Sequence, residues 1–329
     1  MPTGTLGRLA VLDAANCAGR WYIVGGVLGA GGATRPAAWT STDARTWQSV
    51  PFAPLPGSYY GPQDLVSSVG CAGDRVAMIG AKPGGAHGNP RISTWRLAGG
   101  RMAEVSAPFE TYGGDRAVNV AHVVGGPDGF LITGNRTSGA AVWLSGDGTG
   151  FRIVEDAPGL ADDTTQRTVA RDAVPAPGGG WLIVGGSAPK DSADEEPAVW
   201  RTTDGSRFTR DPVPFRPGYN ELQRVVRLGG DIIAVGPRGT QLGAWRKPGA
   251  ASWRAAGSFG SSSGGVQSLA VAERRLIAAT GPTLWISQDL GHTWRPWESP
   301  SGAGPTPAVA GDPHAVLVAG AGRAWVAHR

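Results

Sequence analysis

Four of the five tyrosines stand in Pro- and Gly-rich connecting segments, each a few residues from amide or charged side chains. Pro51-Phe52 leads to Tyr59-Tyr60 and then Gln63 and Asp64; Pro108-Phe109 leads to Tyr112, Asp115 and Arg116; Pro214-Phe215 leads to Tyr219, Asn220 and Glu221. Gln166-Arg167 stands in the corresponding place without a tyrosine. A tyrosine ring can stack on an apolar face while its hydroxyl and the charged neighbours take hydrogen bonds, which is the chemistry of sugar or peptide recognition. The candidate ligand-binding set is therefore Tyr60, Asp64, Tyr112, Asp115, Arg116, Arg167, Tyr219 and Glu221. The plainer reading is that the tyrosines only cap the sheet ends above which they lie.

Other apparent chemistry fails on context. Gly260-Ser-Ser-Ser-Gly264 fits the spacing of a nucleophile elbow, but a strand pattern follows it where the elbow needs a helix. Gly29-Ala-Gly31-Gly32 follows a strand pattern, yet no helix pattern follows to present its N-terminus to a phosphate. His87, His122, His292, His314 and His328 show no ligand spacing, so neither a metal nor a cofactor is expected. Asp64, Asp115, Asp163 and Glu221 are the carboxylates that a glycoside hydrolase could use, provided two of them faced each other across a cleft. No catalytic set is assigned.

The positioning elements are written in a repeat. Trp39-Thr-Ser-Thr-Asp43-Ala-Arg-Thr-Trp47, Trp143-Leu-Ser-Gly-Asp147-Gly-Thr-Gly-Phe151, Trp200-Arg-Thr-Thr-Asp204-Gly-Ser-Arg-Phe208 and Trp285-Ile-Ser-Gln-Asp289-Leu-Gly-His-Thr-Trp294 share one phrase. Asp and Ser/Thr side chains bond nearby backbone N–H groups, Gly supplies positive φ, and the closing aromatic covers the hairpin. Tryptophans at equivalent strand positions recur at intervals of roughly 40–57 residues, the period of propeller blades. The phrase resembles the Asp-box of sialidases, some endoglucanases and many non-enzymatic propellers. That resemblance implies structural roles for Asp43, Asp147, Asp204 and Asp289, on the face opposite the functional one.

Composition agrees with an all-β chain: 17% of residues are charged, and 53 Gly and 26 Pro punctuate short apolar runs. The 329 residues read as a single β-propeller domain, 1–329, of seven four-stranded blades. Trp39, Trp95, Trp143, Trp200, Trp245, Trp285 and Trp325 mark the third strand of each. The seventh blade runs short of an outer strand, and the first nine residues, including Thr5-Leu-Gly-Arg-Leu9, are expected to supply it, since an open edge invites aggregation. Six blades and a tail is the alternative.

The sialidase resemblance further implies three carboxylate-binding arginines and a Tyr–Glu nucleophile pair. The Arg-Ile-Pro motif that carries the first arginine is absent, and Tyr219 and Glu221 stand in one loop where that family draws its pair from different blades. Whether Arg116, Arg167 and Arg224 converge decides between the readings. The expectation is a non-enzymatic propeller that binds a glycan or a cell-surface or protein partner on its tyrosine-bearing face; a sialidase-like or other glycoside hydrolase acting there is the alternative. The net charge of +4 is spread without a basic cluster, which argues against nucleic acid. Lys82, Lys190 and Lys247 are the only lysines among 30 Lys and Arg residues, a bias that suggests a GC-rich bacterial genome.

Cys17 and Cys71 sit in matching phrases, Asn16-Cys-Ala-Gly19 and Gly70-Cys-Ala-Gly73, at the same turn of neighbouring blades. A disulfide tolerates Cα separations up to ~7 Å, so they can bond only if these turns lie within roughly 8 Å of the ring axis. Such a bond favours a secreted or envelope protein, with the cytoplasm as the alternative. No transmembrane stretch and no signal pattern are present. A monomer, or a subunit of a larger assembly, is expected.

Overall fold

The computed structural model describes residues 7–82 and 90–328. It is an all-β propeller of seven blades, each a meander in which consecutive strands pair antiparallel from the axis outward. Blade 1 comprises Arg8–Cys17, Arg20–Leu28, Thr34–Ser41 and Gln48–Ser49; blade 2 comprises Leu65–Ala72, Arg75–Lys82, Arg91–Ala98 and Arg101–Val105. Blade 3 is Ala117–Gly126, Gly129–Arg136, Gly139–Ser145 and Arg152–Val154, and blade 4 is Gln166–Pro175, Trp181–Pro189, Glu196–Thr202 and Thr209–Arg210. Blade 5 is Arg224–Leu228, Asp231–Arg238, Gln241–Pro248 and Arg254–Ser261; blade 6 is Ser268–Ala272, Arg275–Thr280, Thr283–Ser287 and Arg295–Trp297. Blade 7 has three strands among the described residues, Ala308–Gly311, Ala315–Gly320 and Arg323–His328.

Two details depart from the sequence expectation. Blade 2 carries a fifth strand, Phe52–Ala53, parallel to Arg101–Val105. Phe52 meets Trp95 edge-on at 4.9 Å, and the Met102 N–H donates to the Pro51 carbonyl at 2.8 Å, which draws the segment onto the sheet. The expected closing strand is also not drawn from residues 8 and 9. Both belong to the innermost strand of blade 1, because Leu9 packs into the core shared with Ala308 and Leu317 of blade 7. Residues 1–6 of that segment lie outside the described residues.

The ring is closed by packing. Seven apolar clusters fill the seven gaps between neighbouring blades, and the cluster of blades 7 and 1 is one of them. Each third-strand tryptophan lies in the cluster its blade shares with the preceding blade: Trp39 toward blade 7, Trp95 toward blade 1, Trp143 toward blade 2, and so round to Trp325 toward blade 6. Seven equivalent tryptophans therefore need seven interfaces, and the six-blade alternative is excluded.

A polar belt joins the innermost strands. Bulges interrupt the register after Val11, Val66 and Ala170. A bulge re-aims a side chain, and here it turns one toward the next blade. Asp13 accepts the Val69 N–H at 2.9 Å, Ser68 the Val123 N–H at 3.0 Å, Asp172 the Val225 N–H at 3.0 Å and Ser268 the Val309 N–H at 3.2 Å. His122 bridges three blades across the channel, with Nδ1 2.8 Å from Asp172 and Nε2 3.5 Å from Asp13. Burial alone would pull this imidazole down, but the charge of Asp172 and the bonds to both carboxylates outweigh it and push it up to about 9. The belt leaves a channel of about 460 Å³ that also contains Arg224 and Gln267.

Beside the channel, Cys17 and Cys71 are bonded, with Cα atoms 5.5 Å apart, as the axial placement of their turns requires. No helix of the described residues is long and apolar enough to cross a membrane.

Candidate functional site

Because the four strands alternate in direction, all connections between an outer strand and the next inner strand emerge on one rim, with the turns between second and third strands. The remaining turns, which carry the four Asp phrases, emerge on the other. On that second rim each aspartate folds its own hairpin. Asp43 Oδ1 accepts the N–H groups of Arg45 and Thr46 at 2.8 and 2.7 Å, and Asp289 takes the Thr293 N–H and hydroxyl at 2.8 and 2.6 Å. The indoles of Trp47 and Trp294 close these hairpins by donating to the Ala44 and Gly291 carbonyls. Ala44 holds φ +56 and Leu290 φ +61 where the other two boxes place Gly148 and Gly205 at positive φ, so the missing glycine does not change the turn. Backbone bonds hold the Asp43 and Asp204 carboxyls far below the usual carboxylate range.

The first rim differs in the side chains it exposes. Leu55, Tyr59, Phe109, Val118, Phe215 and Tyr219 are six of the seven large apolar side chains exposed among the described residues, and all six lie on it. Two of the depressions that open here hold ligand-binding candidates. One of about 410 Å³ sits over blade 2 between the loops 55–60 and 106–113, with Tyr59, Tyr60, Arg91, Glu104, Phe109 and Tyr112 among its lining residues. Tyr59 and Tyr60 meet edge-to-face at 4.9 Å, and Glu104 braces the loop beneath them by accepting the Leu55 N–H and the Ser58 hydroxyl at 2.9 and 2.8 Å. The other, about 590 Å³, lies between blades 3 and 4 and includes Arg136, Arg167, Arg171 and Glu195. Arg136 Nη1 donates to the Gly113 carbonyl at 2.9 Å, so the two depressions adjoin.

Beyond the second depression, Tyr219 donates to Glu221 Oε2 at 3.3 Å, Gln223 Nε2 to the same oxygen at 2.8 Å, and Arg171 Nε to Glu221 Oε1 at 2.5 Å. Burial and the Glu221 charge push the Tyr219 hydroxyl and the Glu195 carboxyl upward. Burial opposes the charge of Arg171, but Glu221 prevails and its pKa rises.

The candidate residues thus spread along the rim. Tyr60 and Tyr112 share the first depression, although Tyr112 is nearly covered and forms its floor, its ring 5.9 Å from Trp143. Asp64 is placed inside blade 2, fully buried, with no hydrogen-bond partner for either oxygen among the described residues. Burial pushes its pKa up to about 7. The chain must turn inward there to begin the innermost strand, which carries Asp64 off the mouth. Asp115 is exposed, Arg116 pairs with Asp156 at 2.5 Å and Glu155 at 3.4 Å, and Arg167 donates to the Ser192 carbonyl at 2.7 Å. Arg224 reaches the channel instead, donating to the Gln267 carbonyl at 3.0 Å. Each of the three arginines is engaged by a different group. Among the described residues no cluster of His, Cys, Asp and Glu could hold a metal ion.

The sequence reading missed Arg91, Arg171 and Glu195 on this rim, and Asp13, His122 and Asp172 in the channel. The channel residues were signalled by a polar residue at one recurring place inside otherwise apolar inner strands. Arg91 carried no signal, since its role depends on loops that close over it.

No known protein family matches this chain, and no curated protein matches its sequence. Its fold is similar to solved structures. Virginiamycin B lyase from Staphylococcus aureus superposes with a TM-score of 0.62 at 13% identity, over 97% of this chain and 93% of that one. The extracellular domain of the hybrid two component system BT4673 from B. thetaiotaomicron gives 0.60 at 9% identity, over 97% of this chain and 38% of that one. The β-propeller domain of the Trilobed protease from Pyrococcus furiosus gives 0.53 at 10%, over 97% and 95%. At these identities the likeness shows the seven-bladed class and leaves the chemistry to the residues of this chain.

Proposed function

We propose that this chain is a non-enzymatic binding propeller, resembling the Asp-box propellers, that takes a glycan of the cell surface along its tyrosine-bearing rim. The observation that carries this reading is the segregation of exposed aromatic and apolar side chains to one rim. Aromatic residues open to solvent beside arginines and carboxylates suit a ligand with an apolar face and a polar edge. Two adjoining depressions across blades 2 to 4 suit an extended polymer rather than a small molecule. The disulfide fits a secreted or envelope-held protein.

None of the four carboxylates that the sequence offers a hydrolase forms a usable acid pair with another. Glu221 and Asp64 are sealed from solvent, Asp163 is consumed by the Thr165 and Gln166 N–H groups of its own loop, and Asp115 stands exposed. A glycan array with the intact protein tests the reading: Tyr59→Ala and Tyr219→Ala each weaken binding about tenfold, Tyr59→Ala with unchanged melting. Hydrolysis of a bound glycan that is abolished by Glu221→Gln would overturn it in favour of the hydrolase. Binding to a protein partner but to no glycan would replace the ligand class and keep the rim. If neither binding nor turnover depends on the tyrosines, the functional surface lies elsewhere.

A further inference from the structure

We propose that the depression over blade 2 is a subsite for a carboxylate-bearing sugar residue, a hexuronic acid, with Arg91 as its anion contact; this rests on the glycan-binding reading above and narrows it.

Arg91 is the unusual residue of this rim. Its guanidinium carbon lies 4.8 Å from the centre of the Phe109 ring and 5.7 Å from that of Tyr60, so the planar group is held between two aromatic side chains. Its Nε is buried without a hydrogen-bond partner, and no carboxylate among the described residues forms an ion pair with it. Residues 83–89, which precede it and lie outside the described structure, contain no Asp or Glu. Arginines nearby are satisfied differently: Arg116 and Arg136 by Glu155, and Arg171 by Glu221. A guanidinium keeps its charge at any working pH, and a buried N–H left without an acceptor is unfavourable. Cation–π contact orients the group but supplies no acceptor for its fork of N–H donors. The acceptor that completes the site is a planar carboxylate from outside the chain.

The rest of the depression fits a sugar ring carrying that carboxylate. Tyr59 and Phe109 are 70% and 58% exposed, so each offers ring surface to the C–H face of a pyranose. Glu104 also lines the depression, but the Leu55 N–H and Ser58 hydroxyl occupy its oxygens and hold them toward the loop. An acidic peptide is the less suitable occupant. Extended peptides are recognised by adding to a sheet edge, and the outer strand of blade 2 is already covered by Phe52–Ala53. Arg167, exposed in the adjoining depression, places a second cation along the path of a repeating acidic polymer.

The test titrates the intact protein with hexamers of galacturonate, alginate and hyaluronan, their methyl esters, a neutral galactose hexamer and a polyglutamate peptide. At least one uronate hexamer binds about tenfold more tightly than its ester, and the advantage shrinks as salt is raised. Arg91→Gln lowers its affinity to that of the ester and leaves ester binding and the melting temperature unchanged, whereas Arg91→Lys keeps part of the preference because it keeps the charge without the fork. Equal binding of acids and esters, or an equal loss of both in Arg91→Gln, overturns the inference. Tighter binding of polyglutamate than of any uronate makes it a peptide site instead. Neutral hexamers bound through Tyr59 with no preference for acids sink this inference alone; binding of no hexamer at all removes the glycan-binding reading with it.

Discussion

The two rims of the ring grow from one repeat, and one satisfies its polar groups locally while the other also relies on remote partners. On the Asp-phrase rim every box carboxylate bonds within four residues of itself, as Asp43 does with Arg45 and Thr46 and Asp289 with Thr293. On the loop rim Asp163 closes its own turn in the same way, but the ion pairs and the brace under the tyrosines join partners far apart in the chain: 40 positions separate Arg116 from Asp156, 46 separate Ser58 from Glu104, and 50 separate Arg171 from Glu221. A turn that satisfies itself locally can be copied blade after blade without regard to its neighbours. A loop held by remote partners differs from blade to blade, and that freedom is where ligand chemistry can be placed.

The largest test strikes the belt that both rims share. Asp172→Ala strips His122 of its closest counter-charge and leaves the Val225 and Ala173 N–H groups without an acceptor, so it should cost about 3–5 kcal/mol in thermal or denaturant unfolding. The same cluster has a pH signature. His122 has a folded pKa of about 9, above its ordinary 6.5, so the native state holds this proton more tightly than the unfolded chain. Its contribution is complete below about pH 6.5 and is lost as pH rises through about 9. Melting temperature should fall across that window and His122→Gln should flatten the fall; an unchanged slope would show the imidazole neutral.

A smaller effect lies under the loop rim. Asp64, with a folded pKa of about 7 against an ordinary 3.8, keeps its proton in the native state where the unfolded chain has released it. Stability therefore declines as pH rises between those values. Asp64→Asn should match the parent at pH 4 and exceed it by about 2 kcal/mol at pH 8. A variant less stable than the parent at pH 8 would mean that the carboxylate has a cationic partner.

The smallest effects compare the rims directly. Asp289→Ala should cost about 1 kcal/mol through lost turn bonds and leave ligand affinity intact. Tyr59→Ala should reverse the pattern, leaving stability within about 0.5 kcal/mol while weakening binding. Loss of binding in folded Asp289→Ala would erase the division of labour between the rims.

Legibility followed the same division. The Asp phrases, the blade tryptophans and the paired Cys-Ala-Gly turns were readable because their physics is local or strictly periodic: a side chain bonding its own turn, or one packing position repeated per blade. The seven-bladed count also followed once seven tryptophans were placed at one strand position. The loop rim was readable only as a list of residue types. Asp64 was expected beside Tyr60 at the mouth, yet the chain turns inward after the short 3-10 turn at Gly61–Gln63 and buries it. In sequence Tyr112 stands with the loop tyrosines as a ligand-binding candidate, but it lies over Trp143 and points its hydroxyl at Thr94, 3.5 Å away.

By itself, then, the sequence determined the repeat, the strand order and the turn chemistry, because each is decided by contacts within one blade. Only the tertiary structure decided that His122 sits between Asp13 and Asp172, that Arg171 covers Glu221, and that Arg91 is held between Tyr60 and Phe109 with no acceptor among the described residues. Each of these arrangements brings together side chains from different strands or loops, with partners 18 to 50 positions apart where the contact is a hydrogen bond or ring contact. Their meeting depends on how the ring closes and how each loop folds over its blade, which no local pattern encodes.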